Sequence, residues 1–194
     1  WNAGLSVTTG IANTLIGGLS GDAISTANSN VAVGYNTLST NTVGHRNTAI
    51  GENALAAHNV ASAANTYNTA VGYSAGVDIT TGTHNTFIGG LSGDATTTGG
   101  SNIALGAYAL SANTTASNNS ALGFSALEAN TTGANNTAVG WSALKANTTG
   151  TRNCAFGYGA GDANTTALDV AAFGYNSLSS NITGTQNAGF GTNT

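Results

Sequence analysis

The stretch NTAVGWSALKANTTG (Asn136–Gly150) follows NSALGFSALEANTTG (Asn119–Gly133) and precedes NCAFGYGAGDANTTA (Asn153–Ala167), so three successive segments share one pattern. Anchoring on the glycine that closes each N-x-A-[V/I/L/F]-G pentad extends the pattern over the whole chain. The anchors are Gly17, Gly34, Gly51, Gly72, Gly89, Gly106, Gly123, Gly140, Gly157, Gly174 and Gly191, spaced by 17 residues except for 21 between Gly51 and Gly72. A fixed period of this kind is the signature of a solenoid in which each repeat is one rung. It predicts ordered structure despite the low-complexity composition.

The columns of the repeat have physical meaning. The residue before each anchor is large and apolar: Ile16, Val33, Ile50, Val71, Ile88, Leu105, Leu122, Val139, Phe156, Phe173 and Phe190. Two residues earlier stands a small or β-branched side chain, such as Val31, Thr48, Ile103 or Thr137. Period-two alternation puts these on one face of a short strand, and the large column is expected to be core. The opposite face carries Ala (Ala32, Ala49, Ala70, Ala104, Ala121, Ala138, Ala155, Ala172), which suggests close approach of another backbone. Four residues after the anchor, Leu38, Leu55, Leu110, Leu127, Leu144 and Leu178 give a second, thinner core column, and NTTG or NTTA turns the chain. Asn leads the pentad in every rung but the one with Val170, and stacked Asn side chains can bond from rung to rung as an amide ladder.

The expected fold class is therefore all-β, a β-solenoid or parallel β-roll of 17-residue repeats, forming an intertwined or side-by-side homotrimer. One array of about eleven rungs spans residues 1–194, with a four-residue insertion near 58–67, and reads as a segment of a longer chain. Two reliable large columns per rung are little core to offset ordering entropy. A shared core, with the Ala face against partner copies, answers that need. A leucine-rich-like α/β solenoid, with SALKAN as a helical turn, is the structural alternative, for which a period of 17 is short.

Composition excludes several classes. Charged residues make up 5% of the chain, against roughly 25% in ordinary soluble domains. The three cations, Arg46, Lys145 and Arg152, are too few for a nucleic-acid surface. No apolar run is long enough to insert in a membrane. The single Cys154 precludes an intrachain disulfide and reads as a small interior residue.

The segments NTAVGYSAG (Asn68–Gly76), NTAVGWSALKANTTG and NTAIGENALAAHN (Asn47–Asn59) resemble the NTAVGxxALxxNTTG arrays of tail-fibre-domain proteins of bacteriophages and some bacteria. The pentad is also similar to the SVAIG motif in the heads of trimeric autotransporter adhesins, whose shorter repeats build a trimeric left-handed parallel β-roll. What the resemblance implies is a trimeric fibre shaft or head, on a virion tail fibre or at the cell surface, presenting surfaces for attachment to a host.

Candidate contacts follow from this frame. Tyr35, Tyr73, Trp141, Tyr158 and Tyr175, with Phe124, follow the anchor glycine. They pack in the core if the strand continues through the glycine, and form an exposed ladder for a host-cell glycan or protein receptor if the chain turns there. The insertion, with His58 and Tyr67, is either a recognition loop or a tolerated decoration. Asp22, Asp94 and Asp162 share one repeat position, and one Asp per separated rung reads as turn capping rather than Ca²⁺ coordination. The three histidines have no ligand spacing, no nucleophile elbow or acid pair is present, and no enzyme or cofactor is expected. Sequons at Asn113, Asn130, Asn147, Asn164 and Asn181 arise from the turn repeat. Two other functions remain open: a self-assembling extracellular filament, and an ice-binding solenoid built on Thr-Thr pairs such as Thr131-Thr132.

Overall fold

A computed structural model describes residues 2–194, and among them no residue is helical. Its strands are β1 (Thr14–Ile16), β2 (Val31–Val33), β3 (Gly44–His45), β4 (Thr48–Ile50), β5 (Ala64–Asn65), β6 (Thr69–Val71), β7 (Thr86–Ile88), β8 (Ile103–Leu105), β9 (Ser120–Leu122), β10 (Thr137–Val139), β11 (Cys154–Phe156), β12 (Ala171–Phe173) and β13 (Ala188–Phe190). All but β3 and β5 form one parallel sheet in chain order, while β3 and β5 pair by themselves. Register advances by one repeat, with Thr137 opposite Cys154 and Ala138 opposite Ala155. The protein is a β-solenoid.

Each three-residue strand is continued by bonds just outside it. Thr137 N–H donates to Asn153 O and Gly140 N–H to Leu122 O, both at 2.8 Å. After the anchor the chain turns, with Ala143 N–H donating to Gly140 O and Asn147 N–H to Leu144 O. Left-handed backbone at non-glycine residues two and four beyond the anchor, Ser125 (φ 55°) and Leu127 (φ 52°) in one rung, folds the coil back on its strand.

The interior is the reverse of the expected one on the strand. Ala32, Ala49, Ala70, Ala104, Ala138, Ala155 and Ala172 are fully buried and belong to one core cluster with Leu38, Leu55, Leu110, Leu127 and Leu144. The large column points outward: Ile16 is 58% exposed, Leu122 46% and Phe190 70%. The coil is only as wide as one Ala facing one Leu, so a large strand residue does not fit beside the Leu. The two rungs that do carry one, Leu15 and Phe87, have Gly21 and Gly93 four residues past their anchors, and a Cβ on either glycine would meet that large side chain. The Ala face is thus closed by the chain's own Leu column and is not available to a partner copy. Cys154 is corrected likewise: it lies beside Phe156 on the outward face, half-buried, with its thiol pushed up by burial.

The expected Asn ladder is present, mostly in another bonding mode. Asn136 Oδ1 accepts from the backbone N–H of Asn153 (2.9 Å), and its Nδ2 donates to Gly150 O (2.8 Å). Direct amide–amide bonds occur at Asn30 to Asn13 and Asn85 to Asn68, both 3.2 Å. A second buried ladder runs seven residues past the anchor: Asn130 Nδ2 donates to Asn113 Oδ1 (3.1 Å) and Asn147 Nδ2 to Asn130 Oδ1 (2.8 Å). These are the sequon asparagines, and Asn113, Asn130, Asn147 and Asn164 are fully buried, closed to glycosylation in the folded chain.

Candidate functional site

The chain turns at the anchor glycine, so the aromatics behind it lie outside. Tyr35, Tyr73, Trp141, Tyr158 and Tyr175 are between 46% and 56% exposed. Where the column is continuous the rings stack: Phe124 on Trp141 at 6.1 Å, Trp141 on Tyr158 at 4.7 Å and Tyr158 on Tyr175 at 5.2 Å between centroids, all within 12° of parallel. Tyr108 meets the end of this stack edge-on at 5.7 Å. Tyr35 and Tyr73 stand apart, separated by the rung that carries Glu52 in their column.

Beside this ladder lies the outward face of the eleven-stranded sheet. Its rows are the large column and the first strand residue of each rung, including Ile103 at 44% exposure. Toward the C-terminal end the large column becomes a second stack, Phe156 on Phe173 at 5.3 Å and Phe173 on Phe190 at 5.2 Å. The large column alone makes an apolar stripe about 50 Å long at one strand spacing per rung, bordered by a row that is largely Thr and Ser (Thr14, Thr48, Thr69, Thr86, Ser120 and Thr137), and it goes beyond the scattered single exposed side chains that need no explanation.

Polar candidates do not converge. Asp22, Asp94 and Asp162 lie on separate rungs, each with one buried oxygen lacking a hydrogen-bond partner. Among the described residues no three metal-ligating side chains come together. A groove of about 440 Å³ runs along the rungs, floored by Ala112, Ala129 and Ala146 and edged by Glu128, Lys145 and Asp162. Lys145 is held by Glu128 at 3.4 Å. Of the Thr-Thr pairs, the first hydroxyl donates to the next rung, as Thr131 Oγ1 does to Thr148 O (3.1 Å), leaving one outward rank.

Tyr67 is exposed on the coil surface, but His58 is not a surface contact. It is fully buried, in the position that Asn41 and Asn113 occupy in their rungs, so it extends the interior rather than the insertion. Neither ring nitrogen has a hydrogen-bond partner. Burial lowers its pKa to about 4, and the nearby Thr80 backbone offsets only part of that. The unfolded chain, with a histidine pKa near 6.5, therefore binds the proton first as pH falls. Stability is complete above about 6.5 and is lost toward 4, by about 3 kcal/mol in all at 1.36 kcal/mol per unit. His58→Asn should abolish that loss when urea unfolding is compared at about pH 7 and about pH 4.5. Burial raises the Asp94 and Asp162 carboxyls, which act in the opposite sense, but both are present in either protein and cancel. Equal acid destabilisation of the two proteins would contradict the assignment.

Comparison with models of known protein families, with curated proteins and with solved structures finds no match for this chain.

Proposed function

We propose that this chain is a rigid structural and adhesive fibre segment, of a virion tail fibre or a cell-surface adhesin, that assembles as a homotrimer through the outward apolar face of its sheet. The observation that carries the reading is that face: a rod that buries Ala and asparagine inside while leaving Ile16, Ile50, Ile88, Leu122, Phe156 and Phe190 exposed, with Phe173 half-buried in the stack between the last two. Burying that band against neighbours removes apolar surface at about 25 cal/mol per Å². A rotation axis along the rod keeps all chains running one way, as a projecting fibre requires. The resemblance to fibre and adhesin repeats makes that axis threefold. The stacked aromatics from Phe124 to Tyr175 then supply a rigid platform for a sugar or protein receptor, and the fold's role is to hold such platforms out, without catalysis.

The test is mass in solution. Light scattering should give three chains rather than the 18.9 kDa of one. Leu122→Lys with Phe156→Lys places charge on residues already outward in the single chain and should yield folded monomers. Cys154, on the same face, should resist thiol reagents in the wild type and react in the double variant. A wild-type chain that is monomeric with full β-sheet circular dichroism removes the proposal.

A further inference from the structure

Arg46, Tyr67 and His84 occupy one repeat position, immediately before the leading Asn of three successive rungs. Each has left-handed backbone (φ 63°, 50° and 62°) and an exposed side chain. Arg46 Nη1 donates to the Tyr67 hydroxyl at 2.7 Å, its guanidinium lies 5.7 Å from the Tyr67 ring centre, and the Tyr67 and His84 rings meet at 5.4 Å between centroids, tilted by 39°. Among the described residues the other two cations are engaged, Lys145 by Glu128 and Arg152 by Asp169, while Arg46 has no carboxylate within salt-bridge reach.

The setting is also unlike any other rung. The 21-residue interval falls between Arg46 and Tyr67, and residues 61–65 of the insertion are exposed. The returning strand β5 pairs with β3 directly before Arg46, and Thr66 fixes the register through N–H and Oγ1 bonds to His45 O at 3.1 and 3.0 Å. Among the described residues the insertion, the two-stranded second sheet and the one side-chain cation without a carboxylate partner thus coincide.

We propose that Arg46, Tyr67 and His84, beside the insertion, bind a carboxylated sugar. The planar guanidinium fork matches a planar carboxylate, and the adjoining Tyr67 and His84 rings offer flat faces to the apolar side of a pyranose. The Tyr67 hydroxyl orients the fork, and the neighbouring members of the column, Ser29 and Ser101, bring no competing charge. The inference deepens the attachment reading with different residues, and it requires neither the trimer nor the Trp141 ladder.

The experiment titrates the 194-residue chain with methyl glucuronide, the neutral methyl glucoside and inorganic phosphate, following the Tyr67 and His84 ring signals by NMR. Glucuronide should shift them saturably and glucoside should not, while phosphate should bind about tenfold more weakly for want of ring contact. Arg46→Ser installs the residue that other rungs already hold at this backbone conformation, so the fold should persist, and affinity should fall about tenfold or more. Tyr67→Phe should weaken binding about threefold by freeing the fork, and Arg152→Gln should change nothing. No saturable shift with glucuronide, undiminished binding by Arg46→Ser, or phosphate binding as tightly as glucuronide each overturns the proposal. Solution mass, measured on the same samples, reports separately on the trimer.

Discussion

Replacing Phe87 by Ala is expected to cost about 4 kcal/mol, and replacing Gly93 by Leu in the same chain is expected to return much of it. Phe87 is the largest fully buried side chain and stands in the strand-middle row, between Ala70 and Ala104. A Cβ on Gly93 would fall 2.5 to 2.7 Å from three atoms of its ring, and one on Gly76 would fall 2.9 Å from one of the same three, Cδ2. The ring thus occupies the space that Leu takes elsewhere. Gly93→Leu alone should therefore also destabilise, by overpacking. In the double variant the rung becomes an Ala–Leu pair like Ala104 with Leu110, and the backbone at Gly93 (φ 57°) already matches that at Leu110 (φ 54°). The void beside Gly76 remains, so recovery is incomplete. Urea unfolding at one protein concentration should give a coupling of about 2 kcal/mol. Simple additivity of the two single losses would show that the rows do not share one space.

Gly89→Ala is expected to be comparably damaging, at about 4 kcal/mol, although it adds one methyl group at a half-exposed position. Gly89 has φ 135°, a conformation that L-residues scarcely adopt, and its added Cβ would lie 2.6 Å from Gly106 C. The left-handed Leu and Ser residues near φ 55° pay a smaller strain that Cβ allows. At Gly89 the obstruction is backbone of the next rung, which cannot swing aside as a side chain would. The same substitution in a rung's turn, at Gly100, would approach Thr83 O no nearer than 3.0 Å and should cost far less. Matched unfolding midpoints for Gly89→Ala and Gly100→Ala would sink the argument.

Much of this architecture is legible in the repeat itself. Anchor spacing locates every strand of the main sheet, the Leu four residues later is core, and the leading Asn forms a ladder. What the pattern does not contain is which strand face is inside. Alternation defines two faces, and here both carry apolar residues: Ala138 on one, Val139 on the other. Size suggests that Val139 is buried, but the tight turns at Ser142 and Leu144 make the coil too narrow for it. His58 falls outside its expected place for a related reason. Counted from the insertion it belongs to a loop; counted seven residues from Gly51 it falls in the Asn113 column. The second ladder was hidden because Asn130-Thr131-Thr132 carries the signals of a turn and of a glycosylation site together. The Arg46 cluster was invisible, since its members are neighbours only through a 21-residue interval that breaks the period.

The uniform register makes the chain a ruler with a fixed graduation. Removing one 17-residue unit from the Ala–Leu stretch, Gly106 to Leu122 for example, would rejoin every column with its equivalent and shorten the rod by about 4.8 Å. A deletion within the strand or core turn that is not a multiple of 17 would turn one row into the place of another, whereas the four extra residues between Gly51 and Gly72 leave Ala49 opposite Ala70. Length can therefore drift during evolution in whole graduations, by unequal exchange between near-identical segments, with the reach of the solenoid changing while its cross-section does not.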